Sequence, residues 1–101
     1  MVIIERLVQH VYSDKWAELE TIDKEFDAVE ARHGFPAKKR FQMISGPDNM
    51  GTLIIERQWA SLAAMEAAYE KFMADPAWQA LNLKSSPILK DNRVELYTPL
   101  P

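Results

Sequence analysis

The stretch GTLIIERQWASLAAMEAAYEKFMADPAWQAL, residues 51–81, decides the fold of this protein. Residues 52–59 are rich in β-branched and aromatic types and predict a strand. Ser61 is the predicted N-cap of a helix, which has one apolar stripe of Leu62, Met65, Tyr69 and Phe72. Asp75 and Pro76 then suit the N-cap and N1 positions of a second, short helix. The stretch therefore predicts a strand followed by two consecutive helices.

Trp78 raises the main question about that short helix, which we expect over residues 76–83. Trp78 and Leu81 are three residues apart and share one helical face. An indole of this size needs a partner surface, so the face is predicted to dock back onto the domain or across onto a partner subunit. We therefore interpret Trp78 as a structural plug in preference to a ligand platform.

The flanking sequence supplies three more strands and one more helix. Residues 2–12 and 38–45 are predicted strands, and 46–51 is a turn between strands. Ser13 is the predicted N-cap of a helix of about five turns that Gly34 ends. A last strand is predicted over 93–98. The order is β-α-β-β-α-β with a short extra helix, which is typical of an α+β, ferredoxin-like fold. We expect residues 1–101 to form one such domain.

A sheet covered by helices on one face leaves the other face bare. In the first strand neither alternating face is cleanly polar, which indicates a strand covered on both sides. A symmetric homodimer in which two four-stranded antiparallel sheets pack face to face would cover the second side. The sequence therefore predicts a symmetric homodimer with its two sheets face to face.

Composition narrows the class of protein. Hydrophobic residues make up 48 % of the 101 residues, and the net charge of −3 argues against a nucleic-acid partner. The short basic run 38–40 is interpreted as a solvated strand entry. The apolar start MVII is too short for a membrane span or a signal peptide. With no cysteine, thiol chemistry is excluded, and we expect a cytoplasmic protein without a membrane partner.

The 51–81 stretch resembles the NIPSNAP-like branch of the dimeric α/β-barrel superfamily. The matching positions are Trp59, Ser61-Leu62, the alanine-rich run 63–68, and Asp75-Pro76 with Trp78. The resemblance implies a barrel-forming dimer, related to the antibiotic-biosynthesis monooxygenase branch, which carries out oxygen chemistry without a cofactor.

Two segments depart from the family pattern. Residues 13–15 are Ser-Asp-Lys where family members often have Pro-Gly-Lys. One face of the third strand carries Ile55, Arg57 and Trp59 where the family often alternates His, Trp and Tyr. If those family residues line a pocket, the pocket of this protein has different chemistry.

His10 and Tyr12 are the candidate catalytic residues. They share one face of the first strand, where a histidine can act as a general base or orient a substrate oxygen. The alternative is a histidine that is hydrogen-bonded within a partly buried sheet. His33, in the last helical turn, is interpreted as a cation at the helix C-terminus. The two histidines have no metal-ligand spacing around them, so we predict no metal and no cofactor.

A second set of residues is predicted to bind a small organic ligand between sheet and helices. Arginines suit a carboxylate or enolate, aromatic and Met side chains suit an apolar body, and the alternatives are a cross-sheet ion pair and a plain core. The set comprises Arg6, Trp16, Met43, Arg57, Trp59 and Tyr69. Three functions stay open: a NIPSNAP-like protein binding a small apolar or aromatic molecule, a cofactor-free monooxygenase or isomerase, and a structural dimerisation module without a pocket.

Overall fold

Four antiparallel strands form one sheet, and three helices lie on one of its faces. The computed structural model describes residues 1–101. The strand order is β2-β3-β1-β4, so β1 and β3 are central and β2 and β4 are edges. The fold is α+β and ferredoxin-like with one added helix, which confirms the predicted class. The elements are β1 Ile3–Val11, α1 Trp16–Arg32, β2 Lys39–Gln42, β3 Thr52–Trp59, α2 Leu62–Ala74, α3 Pro76–Ser85 and β4 Leu89–Tyr97.

Register divides the side chains of β1 between two environments. Glu5 pairs with Arg57 of β3 and with Leu96 of β4, and these three belong to the face beneath the helices, the helix side. His10 pairs with Thr52 and Asp91 on the opposite, helix-free face. A strand alternates its side chains, so odd-numbered residues of β1 face the helices and even-numbered ones do not.

Local signals place the helix boundaries. The Ser61 side chain accepts a hydrogen bond from the Ala64 N–H at 3.0 Å, and the Asp75 side chain accepts one from the Ala77 N–H at 2.8 Å. Both predicted N-caps are therefore confirmed, with Pro76 at the start of α3. Gly34 has a φ of +74°, the left-handed conformation that ends α1.

The predicted N-cap at Ser13 is wrong. Residues 13 and 14 form a turn, in which the Lys15 N–H donates to the Tyr12 carbonyl at 2.9 Å. Helix α1 begins only at Trp16, after Lys15, and has no side-chain cap. Residues that the sequence pattern assigned to the start of the helix therefore belong to this preceding turn.

The two edge strands differ in length from their predictions. Strand β4 begins at Leu89, four residues before the predicted start, because it pairs with β1 along almost the whole of that strand. Its polar segment Lys90-Asp91-Asn92 has low strand propensity, which pairing with a central strand overrides. Strand β2 covers only Lys39–Gln42 of the predicted 38–45.

Helix α3 packs against the other two helices of its own domain. Leu81 is buried with Val29 of α1 and Phe72 of α2, and Trp78 packs on the same cluster. The Trp78 and Phe72 ring centroids are 5.7 Å apart. The predicted docking of α3 thus occurs within the chain. None of the three helices has the length and apolar character needed to cross a membrane.

Candidate functional site

A cavity of about 420 Å³ lies between the helix side of the sheet and the three helices. Its volume is within the range of small-molecule sites, roughly 300–1,000 Å³. Most of its lining residues are hydrophobic, and they come from β1, β3, β4 and all three helices. The helices meet one another above the sheet, as in the Val29, Phe72 and Leu81 cluster, and the space beneath them stays open.

The cavity has a buried floor and an exposed mouth. On the floor Glu5 and Arg57 are only 2 % and 3 % exposed. At the mouth Met73 of α2 is 51 % exposed, and Val94 and Leu96 of β4 are 56 % and 47 % exposed. The cavity therefore opens along the edge strand β4 and deepens toward β1 and β3.

Glu5 is held by two hydrogen-bond donors. The Trp59 Nε1–H donates to Glu5 Oε1 at 3.1 Å, and the Tyr69 hydroxyl donates to Glu5 Oε2. Burial, followed by this bond to Glu5, raises the pKa of Tyr69 far above its ordinary value of 10.0. Tyr69 is therefore protonated at neutral pH, and both carboxylate oxygens of Glu5 have partners.

Arg57 joins the sheet to α1. Its Nη2 lies 2.6 Å from Glu30 Oε1, and its Nη1 lies 3.7 Å from Glu5 Oε1. The guanidinium carbon is 5.1 Å from the centre of the Phe35 ring, a cation–π distance. Arg57 Nε, however, is a buried donor without a hydrogen-bond partner. We refer to Glu5, Glu30, Arg57 and Tyr69 as the cavity floor.

The interpretation of residues 38–40 as a solvated strand entry is wrong for two of the three. The Lys38 side chain is only 7 % exposed and lies 2.8 Å from Asp27 and 3.4 Å from Glu30. Arg40 Nε lies 2.7 Å from Asp23, whose pKa is raised by burial. Acidic residues at steps of three and four along α1 face this segment, and their charge draws both cations inward.

The structure does not bring the six predicted ligand-binding residues together at one site. Arg57 and Tyr69 line the cavity, and Trp59 lies beneath it as a donor to Glu5. Trp16 packs against the core cluster near Val11, and Met43 lies beyond the end of β2; neither lines the cavity. Arg6 is on the helix-free face, paired with Glu56 at 2.8 Å.

His10 also lies outside the cavity. On the helix-free face its Nδ1 contacts Asp91 Oδ1, and its Nε2 lies 3.0 Å from Asp48 Oδ1. The hydrogen bonds to Asp91 and Asp48 raise the pKa of His10. We call these three residues the His10 cluster. Both ring nitrogens face carboxylates, so the imidazolium form fits best and leaves no nitrogen free to accept a substrate proton.

The remaining titratable candidates have local partners. Tyr12 is half-exposed, with Lys90 Nζ 5.5 Å from the centre of its ring. His33 follows the last residue of α1, and its Nε2 lies 2.8 Å from Asp75 Oδ2, so it bridges α1 to the N-cap of α3. No group of His, Asp and Glu side chains has an arrangement that could hold a metal ion.

Comparison with solved structures shows the fold. A NIPSNAP family protein from Agrobacterium tumefaciens is 22 % identical, with 99 % of this chain and 94 % of that chain covered and a TM-score of 0.83. An uncharacterised NIPSNAP domain protein from Burkholderia xenovorans is 18 % identical, covers 97 % and 94 %, and has a TM-score of 0.84. No family model and no curated protein matches the sequence.

An enzyme is also among the similar structures. The N63A mutant of SnoaB, a cofactor-independent oxygenase from Streptomyces nogalater, is 16 % identical, with 97 % and 92 % of the two chains covered and a TM-score of 0.69. The chain is thus a ferredoxin-like α+β protein with a cavity between sheet and helices. Within that class its structural neighbours include NIPSNAP family proteins, as the 51–81 stretch predicts.

Proposed function

We propose that this NIPSNAP-like protein binds a small, mostly apolar organic molecule in the cavity between sheet and helices. The observation that carries the proposal is the cavity itself, which joins an exposed apolar mouth to a buried polar floor. Apolar walls with a few convergent polar groups are typical of small-molecule sites. A module without a pocket would instead fill this space with side chains.

A thermal-shift screen of aromatic compounds tests the proposal. A ligand that binds only the folded protein raises stability, by about 2.7 kcal/mol at a concentration of 100 Kd. Val94→Trp places a large side chain at the mouth and should abolish the shift, whereas His10→Ala should leave it unchanged. If no compound shifts the wild-type protein, or if only His10→Ala removes the shift, the proposal fails.

A second function, cofactor-free oxygenase or isomerase chemistry, is favoured by the fold shared with SnoaB and by the buried Tyr69–Glu5 pair. His10 and Tyr12 are the residues first predicted for this chemistry, but in the cavity the proton-handling groups would be Glu5 and Tyr69. Oxygen uptake with a phenolic ligand that binds, compared between wild type and Tyr69→Phe, tests this function. Uptake that is lost in Tyr69→Phe supports it, and absence of uptake removes it.

We also propose a homodimer formed through the helix-free face. Phe41 and Tyr97 are half-exposed aromatic residues on this face, where Tyr97 pairs with Ile4 of β1 and Phe41 pairs with Ile54 of β3. Burial of such a face against a second copy would remove a large apolar patch from water. Sedimentation should give twice the chain mass of 11.6 kDa, and a stable monomer at micromolar concentration would refute the dimer.

A further inference from the structure

We infer that the cavity selects an uncharged carbonyl compound: a ketone, ester or amide with an apolar body, whose oxygen accepts a hydrogen bond from Arg57 Nε. The inference rests on the proposed function, because it names the chemical class of the ligand for the same cavity. It also decides against a carboxylate, which an arginine in a pocket would otherwise suggest.

The Nε–H group of Arg57 is a donor without a partner. Arg57 lines the cavity and is 3 % exposed, and its Nε has no hydrogen-bond partner. A buried donor without a partner is unfavourable, and native proteins rarely leave one. Nε itself has almost no accessible surface, so a ligand oxygen would complete the hydrogen bonding of Arg57 after a small displacement of the side chains that cover this atom.

The charges on the floor argue against an anionic ligand. The two nearby cations are already committed: Arg57 to Glu30 and Glu5, and Lys38 to Glu30, Asp27 and Asp23. A ligand carboxylate would add negative charge to a buried region that has no unpaired cation. Such a charge is strongly disfavoured where the dielectric constant is low.

The acceptors on the floor argue equally against an amine. Glu5 Oε1 accepts from Trp59 and Oε2 accepts from Tyr69, while Glu30 Oε1 contacts Arg57 and Lys38. At Glu5, or at Oε1 of Glu30, an ammonium group would have to displace one of these donors. A neutral acceptor needs only the free Nε–H and disturbs none of the existing pairs.

The walls above the floor define the rest of the molecule. Leu7, Ile55 and Phe26 line the middle of the cavity, and Val94 and Leu96 line its mouth. None of these side chains offers a hydrogen bond, so the part of the ligand between floor and mouth is apolar and the oxygen that meets Arg57 is at the buried end. Gln9, Asn82 and Asn92 also line the cavity and could meet a further polar group of the ligand.

Four naphthalene probes of similar shape test the inference by calorimetric titration of the wild-type protein at pH 7.5. They are 2-acetylnaphthalene, 2-ethylnaphthalene, 2-naphthoate and 2-naphthylmethylamine. The ketone should bind at least about tenfold more tightly than each of the other three, because a hydrogen bond to a charged donor is worth more than one unit of RT ln 10. Equal affinity of the ketone and the ethyl compound overturns the inference but leaves the proposed function standing. Tightest binding of the naphthoate or the amine also overturns it, and failure of all four to bind overturns both.

Two further measurements identify the donor. In Arg57→Lys the ketone should lose its advantage over 2-ethylnaphthalene, while Arg6→Lys on the helix-free face should keep it. If Arg57→Lys does not fold, the Arg57 Nε–Hε resonance of the wild-type protein gives the same answer. It should shift with the ketone and not with 2-ethylnaphthalene, and an unmoved resonance in saturated protein overturns the assignment.

Discussion

The cavity floor and the His10 cluster are both made of charged and polar groups, but they differ in how completely those groups are buried. On the floor, Arg57 and Glu5 are almost completely buried, and every partner is a protein side chain. In the His10 cluster, Asp91 is exposed. The half-exposed Arg93 side chain also contacts this cluster, with its Nη2 3.5 Å from Asp48 Oδ2. A histidine is conspicuous in a sequence, but the buried carboxylate and arginine are the groups that adjoin an enclosed volume.

Burial determines how strongly each charged group affects the stability of the fold. When an exposed ion pair loses one member, water replaces the lost partner at little cost in stability. A buried charge that loses its partner has no such replacement. The floor should therefore determine stability and ligand choice, and the helix-free face should tolerate substitution in the monomer.

The largest effect is expected from Arg57→Met. It leaves buried Glu5 without a cation and Glu30 with only Lys38, and should lower the free energy of unfolding by about 3–5 kcal/mol in urea denaturation. The matched variant is Arg6→Met on the same sheet, whose pair with Glu56 is partly exposed. It should cost about 1 kcal/mol or less. Equal losses in the two variants would remove the contrast between the faces.

Trp78→Ala should have the next largest effect. The indole packs on Phe72 and lines the cavity, and removal of its buried area should cost about 2–3 kcal/mol. Gln79→Ala, at an exposed neighbouring position in α3, should change stability by less than about 0.5 kcal/mol. A Trp78→Ala melting temperature equal to that of the wild type would show that the tryptophan is not a structural plug.

Asp75 should show a smaller, acid-dependent effect. Hydrogen bonds from His33 and from the Ala77 N–H lower the pKa of Asp75 below 3.8. A lowered pKa stabilises the folded state above the unfolded pKa, and the contribution is lost as pH falls through the folded value. The melting-temperature difference between wild type and Asp75→Ala should therefore be full near pH 6 and shrink below pH 4. A difference that grows on acidification would contradict the assignment.

The smallest effect is expected for His10, with the opposite sign. Bonds to Asp91 and Asp48 raise its pKa above 6.5, so the stabilisation is complete below that value and is lost as pH rises through the folded pKa. Lys90 and Arg93 also surround the cluster and limit its size. Wild type should exceed His10→Gln in melting temperature at pH 5.5, and the gap should close by pH 9. A gap that persists at pH 9 would mean that protonation is not its source.

The sequence predicted the fold well because local signals agree there. Ser61, Asp75-Pro76 and Gly34 each need only their neighbours to fix a boundary, and the apolar periods of the strands and helices agree with them. Ser13 failed because a turn and a helix start compete for the same residues. The predicted start of β4 was four residues too late because the pairing of β4 with β1 depends on residues roughly 80 to 90 positions away in the sequence.

The candidate site was predicted only in part. Arg57 and Tyr69 were found from their residue types. Glu5 was considered only as a partner in a cross-sheet ion pair, and Lys38 was missed, because their burial depends on tertiary pairs. One signal was present: Glu20, Asp23, Asp27 and Glu30 recur at steps of three and four on α1, opposite the cations of 38–40. An acidic stripe next to an apolar stripe indicates a helix that presents charge toward the domain, and this observation would have removed the solvated interpretation of Lys38.

The most direct test of the cavity as the ligand site is a ¹H–¹⁵N map of the backbone amides during titration with 2-acetylnaphthalene. We expect the largest shifts at Glu5, Leu7, Arg57 and Val94, along the cavity from floor to mouth, with little change at His10, Asp48 and Asp91. Shifts centred on His10, Asp48 and Lys90, with the cavity residues unmoved, would contradict it and place the site on the helix-free face.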